Sequence, residues 1–419
     1  MTAAPLRKVR AQHVITAPTA RKTTRSSLAA PSYEAAPNLQ PPVGNPRFPL
    51  FDALRAVAAL TVFTGHVVLL THPFAQSPRL YYRALTAGQL GVAIFFLISG
   101  FLLYRPFLVA RRLGHPSSIR DFLRRRVLRI VPAYWVALSL LLLAGLISGV
   151  TSHNWWLFYG FAQDYNSTAA LQGINVAWTL GAEVGFYLAL PIFAMVASRL
   201  ARGRNHGLRA DALLLATLTA ASLVYRLNFS SSPSDYYKTI SLPGMFLWFA
   251  LGMGLALASV ALEARPERSK LLASIAAHPS LLWAAAAVIA VLSHHFAVDS
   301  RSNWHSVLAF ALRGLAALFV LVPGVFGDTA GGLPRRILRL RSLAWVGLVS
   351  YAFYLYHFTV VREVAKFAAT EHWSHPFYGV FAVSLGGSCA IAAASYYLLE
   401  RPIMRRGRRR SGVPSQPPA

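Results

Sequence analysis

Residues 50–70 read LFDALRAVAALTVFTGHVVLL, and this stretch decides what kind of protein the chain is. Coiled into a helix at about 1.5 Å per residue, it is long enough to cross the roughly 30 Å hydrocarbon core of a bilayer. Only Arg55 and His66 are ionisable within it, with Asp52 at its edge. In lipid every backbone polar group must be satisfied internally, so an apolar run of this length reads as a membrane-spanning helix. Nine further runs follow, giving ten candidate spans near residues 50–70, 85–104, 130–150, 176–197, 211–228, 242–262, 279–298, 306–326, 344–364 and 377–399. The fifth is short and ends in Tyr225-Arg226. The fold class expected is all-α: a polytopic integral membrane helix bundle of about ten transmembrane helices.

Composition agrees. Of 419 residues 55% are apolar and 13% charged, against about a quarter charged in a soluble domain. That excludes an ordinary water-soluble enzyme and excludes disorder for most of the chain. Residues 1–47, rich in Ala, Pro, Ser and Thr with scattered Lys and Arg, cannot bury a core and read as a disordered basic cytoplasmic tail. No signal-peptide pattern is present, because the first apolar run begins near Phe48 and lacks a cleavage-type ending. Residues 48–404 form the membrane domain and 405–419 a basic cytoplasmic C-tail.

The formal net charge of +27 would suggest nucleic acid in a soluble protein. Here position explains it. With the N-terminus inside, 32 of the 41 Lys and Arg fall on the cytoplasmic side and seven on the other, Arg55 and Arg313 lying within spans. That is the positive-inside rule, with both tails cytoplasmic, and no nucleic-acid partner is needed. The single cysteine, Cys389, sits in an apolar run as a packing residue, so no intramolecular disulfide is available. The histidines lack Cys or carboxylate neighbours at ligand spacing, and no metal is expected.

An ionisable residue at membrane depth is costly and therefore a functional candidate. Arg55 and His66 share the first span; eleven residues make about 16 Å and close to a whole number of turns, so both face one side. Arg55 would lie toward the cytoplasm and His66 toward the outer face. Glu183, in Trp178-Thr179-Leu180-Gly181-Ala182-Glu183, is expected in the outer half, with Arg313 at a similar depth. The carboxylate needs a partner, His66 or Arg313, and a purely structural ion pair would also account for it. Before the third span, Arg124-Arg125-Arg126-Val127-Leu128-Arg129 sets Arg126 and Arg129 at i,i+3 and Arg125 and Arg129 at i,i+4, so the three are expected to share a helix face. Guanidinium forks suit phosphate oxygens, although topology alone could place them there. His357, in Ser350-Tyr351 through Tyr354-Leu355-Tyr356-His357, is a second mid-membrane histidine, either packed or functional. The aromatic stretch Trp155–Phe161 serves an interfacial belt or a stacking surface for a sugar. A GxGxxG-like trace at Gly252 and Gly254 lies within a span, where small residues serve helix contact.

Several of these stretches together resemble one family. Phe51-Asp52-Ala53-Leu54-Arg55 ending at His66 is similar to the Arg-x10-His signature of the membrane acyltransferase-3 family. Gly91–Phe101 on the second span, Arg125–Trp135, and Trp178 to Glu183 followed by Phe186-Tyr187 and Pro191 resemble its next motifs. Ser350-Tyr351 to His357 and Tyr396–Pro402 fit its last two spans. The resemblance runs from about residue 50 to 402. Ala93 departs from the acidic residue the family often has there, and Arg313 belongs to none of these motifs. No hydrolase-like domain follows span ten, so a stand-alone form is expected.

The resemblance implies an integral membrane O-acyltransferase that uses acyl-CoA, acetyl-CoA by family habit, as co-substrate. The acceptor would be a hydroxyl of an extracytoplasmic carbohydrate, glycolipid or secondary metabolite. In that reading Arg125, Arg126 and Arg129 dock the nucleotide head, and Arg55 lies further along the channel. His66 is general base or covalent acyl carrier, and Glu183 orients its ring. Arg313, His357 and Trp178 are further substrate or structural candidates. The competing reading is a transporter of a small anion or lipid-linked sugar, although no inverted repeat is evident.

Overall fold

The computed structural model describes residues 48–73, 78–114, 118–201, 207–230, 233–263, 277–298, 302–326 and 331–409. The expected N-terminal tail and the end of the C-tail lie outside these. All regular structure among the described residues is helical. The chain runs through α1 (Phe51–Thr71), α2 (Pro78–Arg112), α3 (Ile119–Leu143), α4 (Trp155–Tyr159) and α5 (Trp178–Leu200). Then come α6 (Gly207–Phe229), α7 (Tyr236–Ile240), α8 (Leu242–Glu263), α9 (Pro279–Val298) and α10 (Asn303–Val325). The last are α11 (Leu333–Leu338), α12 (Arg341–Leu348), α13 (Ser350–Thr370), α14 (Pro376–Ser395) and α15 (Arg401–Arg409). Nine described helices are long and apolar enough to cross a membrane; α12 and α13, bent by 79° at Val349, pass the same test as a pair. The fold is the expected polytopic helical bundle.

Two expected spans are displaced. The second helix continues past residue 104 to Arg112, because its basic end is anchored rather than frayed. Arg105 pairs with Glu263 on α8, and Arg111 and the Tyr104 hydroxyl both donate to Asp211 on α6. The third helix spans 119–143 instead of 130–150. The Ser118 hydroxyl caps it by accepting from the Asp121 N–H at 3.2 Å, and it stops just before Gly145, whose φ of 67° is left-handed. Its arginines are thus inside the helix, in its first turns.

α2 sits at the centre, packed on α1 and α8. The approach is close enough to need glycine. A methyl at Gly91 would stand 2.4 Å from the Ala58 carbonyl oxygen, and one at Gly100 2.2 Å from that of Phe249. On the facing helix, a methyl at Gly252 would lie 2.1 Å from the Leu97 carbonyl oxygen, whereas the nearest group to Gly254 is Leu215 at 4.0 Å. The expected helix-contact role therefore falls on Gly252. A similar approach at Gly347 brings α12 onto the Asp52 main chain at the start of α1.

The segment between α3 and α5 is not a surface loop. Phe158, Phe161, Ala169, Ile174 and Val176 are buried in the main apolar core, and this tucks the segment into the bundle. The start of α5 is consequently covered by this segment. Within the segment, Asp164 is fully buried against Gly181, and neither carboxylate oxygen has a side-chain partner among the described residues. Burial pushes its carboxyl up from the ordinary range to about 7.

Two outcomes follow. Gly252→Ala should destabilise the fold by about 1–3 kcal/mol through overpacking, while Gly254→Ala should stay within about 0.5 kcal/mol; thermal unfolding in detergent compares them. Because the native Asp164 holds its proton more tightly than the unfolded chain, stability contributed there is complete at low pH and lost as pH rises through about 7. Unfolding midpoints across that window should show the slope in the parent and a flatter profile in Asp164→Asn; parallel slopes would acquit Asp164.

Candidate active site

A cavity of about 320 Å³ opens among α1, α2, α3, α5 and the start of α13. Its charge is concentrated on one side. Arg55 of α1 lines it and is held by Asp52 one turn earlier, Nη1 to Oδ1 3.1 Å. Arg126 and Arg129 enter from α3, one turn apart and so on one face. The Arg126 guanidinium lies over the rings of Phe122 and Tyr187, 5.9 Å from each centroid, and its Nε has no partner among the described residues. Arg125 is rotated about 100° from Arg126 on the same helix; it is exposed and lines no part of the cavity.

Glu183 also lines the cavity, and it lies at the level of Arg55 rather than beside His66. The contact of Gly91 with Ala58 and Val62 fixes the antiparallel register of α1 and α2. Ser99, two turns further along α2, is thereby level with the first turns of α1. Its hydroxyl donates to Glu183 Oε1 at 2.6 Å, and the Tyr187 hydroxyl donates to the same oxygen. Arg55 is within electrostatic reach of this carboxylate. The expected outer-half position of Glu183 assumed that α5 starts at the membrane surface; the buried segment before it covers the helix start.

His66 finds its partner elsewhere. Its Nδ1 lies 2.9 Å from Nε2 of His357, 291 residues away, and Nδ1 of His357 lies 2.9 Å from the Tyr354 carbonyl oxygen. A carbonyl only accepts, so His357 Nδ1 carries the proton and donates. The neutral His357 ring then offers Nε2 as acceptor, and His66 must donate from Nδ1. That assignment leaves His66 with a bare lone pair on Nε2, as a base requires. His357 is fully buried and stacks on Phe353 at 5.7 Å, which fixes its ring; His66 is half-buried.

The cavity approaches this pair through Tyr354, which lines it. The Tyr354 hydroxyl donates to the Val176 carbonyl at 3.3 Å and sits 3.0 Å from Thr179 Oγ1. Arginines at one end and a histidine pair beyond Tyr354 at the other thus define an axis. Arg313 is buried away from the cavity, and Trp178 is the first residue of α5, half-buried against the core. Ser99, Tyr187, Thr179 and Tyr354 are cavity residues that the sequence does not mark as site candidates, although all four lie in its motifs. Tyr187, four residues after Glu183, carried the one usable signal, since i and i+4 share a helix face. Among the described residues, no group of three or more His, Cys, Asp or Glu is placed to hold a metal ion.

Comparison with known proteins assigns a family to this geometry. The profile of the acyltransferase domain matches residues 49–398. Nodulation protein 10 of Rhizobium leguminosarum bv. viciae is 29% identical over 378 residues, 85% of this chain and 93% of that protein. Peptidoglycan O-acetyltransferase OatA of Listeria monocytogenes is 24% identical, over 86% of this chain and 56% of that protein. O-acetyltransferase OatA of Staphylococcus aureus is 23% identical, over 87% of this chain and 58% of that protein. The chain thus spans little more than half the length of the last two. No solved structure matches it. With its apolar helices, the matched domain and these relatives, the chain belongs to the acyltransferase-3 family and is a multi-pass acyltransferase of the cell membrane.

Proposed function

We propose that the enzyme takes an acyl group, acetyl in the first instance, from acyl-CoA on the cytoplasmic side and transfers it to a carbohydrate or glycolipid hydroxyl on the outer side. A secondary-metabolite hydroxyl is an acceptor of the same chemistry. The bare Nε2 of His66, held by the His66–His357–Tyr354 chain, is the observation that carries this reading. The basic face of the bundle is the cytoplasmic one by the distribution of Lys and Arg. The names of the two OatA relatives support O-acetyl transfer, and the Listeria name supports a glycan acceptor.

The phosphates of the donor would meet Arg126 and Arg129 at the cavity mouth, with Arg55 next along the axis. Arg55 is already offset by Asp52, and its neighbourhood includes Glu183. Arg126 likewise has Glu183 within electrostatic reach and Arg129 has Glu400, so each of the three guanidiniums has an acidic neighbour. The thin pantetheine arm would run along α1 toward His66, about 16 Å from Arg55. There the acceptor oxygen attacks the thioester carbonyl while His66 Nε2 takes its proton. The tetrahedral intermediate then collapses, the C–S bond breaks, and the imidazolium returns the proton to the departing thiolate. The covalent route uses the same lone pair as nucleophile, and acyl label retained on the protein without acceptor distinguishes it. Glu183, bonded by Ser99 and Tyr187, holds the geometry of the cavity wall and balances the arginines.

Membrane vesicles given acyl-labelled acetyl-CoA test this directly. His66→Ala should lower transfer by about 10²–10⁴-fold; full retention of label transfer would refute His66 in either role. His357→Leu should cut kcat with little change in donor KM, whereas His357→Gln, whose amide oxygen can accept from His66 Nδ1, should recover part of the loss. Separately, Arg126→Ala and Arg129→Ala should each raise donor KM by roughly tenfold, the scale of a hydrogen bond to a charged group. Arg125→Ala should leave it within about twofold, and a donor KM unmoved by all three would remove the phosphate role.

A further inference from the structure

Two arginines stand apart from the cavity and take no part in the transfer just described. Arg226 lies in the last turn of α6 and Arg313 on α10, and they are only 9% and 8% exposed. Arg226 is held in place: its guanidinium lies 3.7 Å over the Phe310 ring, and Nη1 donates to the carbonyls of Thr239 at 2.7 Å and Gly244 at 3.0 Å. Phe310 and Arg313 are three residues apart on α10 and share a face, so a cation stacked on the first is beside the second. The two guanidiniums are within electrostatic reach of each other, and both of Tyr236.

Among the described residues neither arginine has a counter-charge. The Nε of each arginine is buried without a hydrogen-bond partner among the described residues. Among the described residues no acidic side chain acts on either; Asp235, beside Tyr236, is committed to Lys238 at 2.7 Å. Two like charges buried together with unused N–H donors are costly unless an anion completes them. Paired guanidinium forks match phosphate oxygens in shape and charge.

The location narrows the ligand. α10 enters from the face opposite the basic one. Arg313 is about 15 Å along it, and side chains of a helix lean back toward its N-terminus. Arg226 lies near that same face, at the end of α6, whose Leu213, Leu218 and Val224 are exposed on an apolar surface facing lipid. We propose that Arg226 and Arg313, with the half-exposed Tyr236 at the rim, bind a phosphate ester presented at the non-cytoplasmic face. An aromatic ladder ties this site to the catalytic cavity: Phe310 stacks on Trp248 at 4.4 Å, and Trp248 lies 6.2 Å from Phe96, which lines the cavity. The ester comes either from a membrane lipid headgroup or from a water-soluble phosphate.

The test reads binding and is independent of the transfer reaction. Full-length protein in neutral detergent is titrated with phosphatidylglycerol or phosphatidylcholine by native mass spectrometry, and with inorganic phosphate or pyrophosphate by thermal shift. The parent should bind one phosphatidylglycerol at least tenfold more tightly than phosphatidylcholine. Arg313→Gln should abolish that preference, and Arg313→Lys, keeping charge without the fork, should fall between. Arg313-dependent stabilisation by inorganic phosphate or pyrophosphate would support the site and assign a soluble source; its absence alongside phosphatidylglycerol binding would assign the headgroup. Equal binding of both lipids by the parent, with no stabilisation by either soluble anion, would overturn the proposal without any variant. So would anion binding unchanged in folded Arg313→Gln.

Discussion

The approach of α2 to its two neighbours is the constraint on which the rest of the structure depends. In lipid no hydrophobic force draws helices together, and association rests on close packing of small residues. Gly91 and Gly100 let the α2 backbone come within contact of the α1 and α8 main chains, and Gly252 answers from the α8 side. That contact sets the register of α1 against α2. Register in turn brings Ser99 to Glu183 and puts Glu183 within the field of Arg55. A single added methyl at these crossings would move α2, which carries seven of the residues lining the cavity.

The site keeps its charges in separate compartments of one bundle. Arg55, Arg126, Arg129, Asp52 and Glu183 surround the cavity and partly balance one another. The histidine pair lies beyond Tyr354 and is linked to the cavity only through uncharged groups. This division keeps the two imidazoles apart from several cations. It also explains why the partner of His66 is an imidazole fixed by a backbone carbonyl, where a carboxylate had been expected. A neutral acceptor fixes the tautomer without placing a second net charge at that depth.

Much of this was legible in the sequence, and the limits have physical causes. Long apolar runs and the sidedness of Lys and Arg carry the span count and the two faces of the bundle, because both follow from local transfer energies. Arg55 and His66 stand out for the same reason. The boundaries of α3 are hidden in the sequence because its capped, cationic first turns do not look apolar. The level of Glu183 depends on whether the 34 residues between α3 and α5 lie on the surface or fold inward, and tertiary burial alone decides that. Likewise nothing local says that His357 reaches His66, although both were visible as isolated polar groups at membrane depth.

The 79° break between α12 and α13 has an effect beyond shape. It places the start of α13, with Ser350 and Tyr351, in the wall of the cavity. The first N–H groups of a helix have no intrahelical partners, and the aligned peptide dipoles leave about half a positive charge at that end. The electropositive character of the cavity is therefore shared between side chains and main chain. The main-chain part depends on where the helix begins rather than on which residues occupy it, so it would survive exchange of the arginines. Exchange of an arginine would then change the charge of the cavity in steps, while the main-chain part stays written in the path of the backbone.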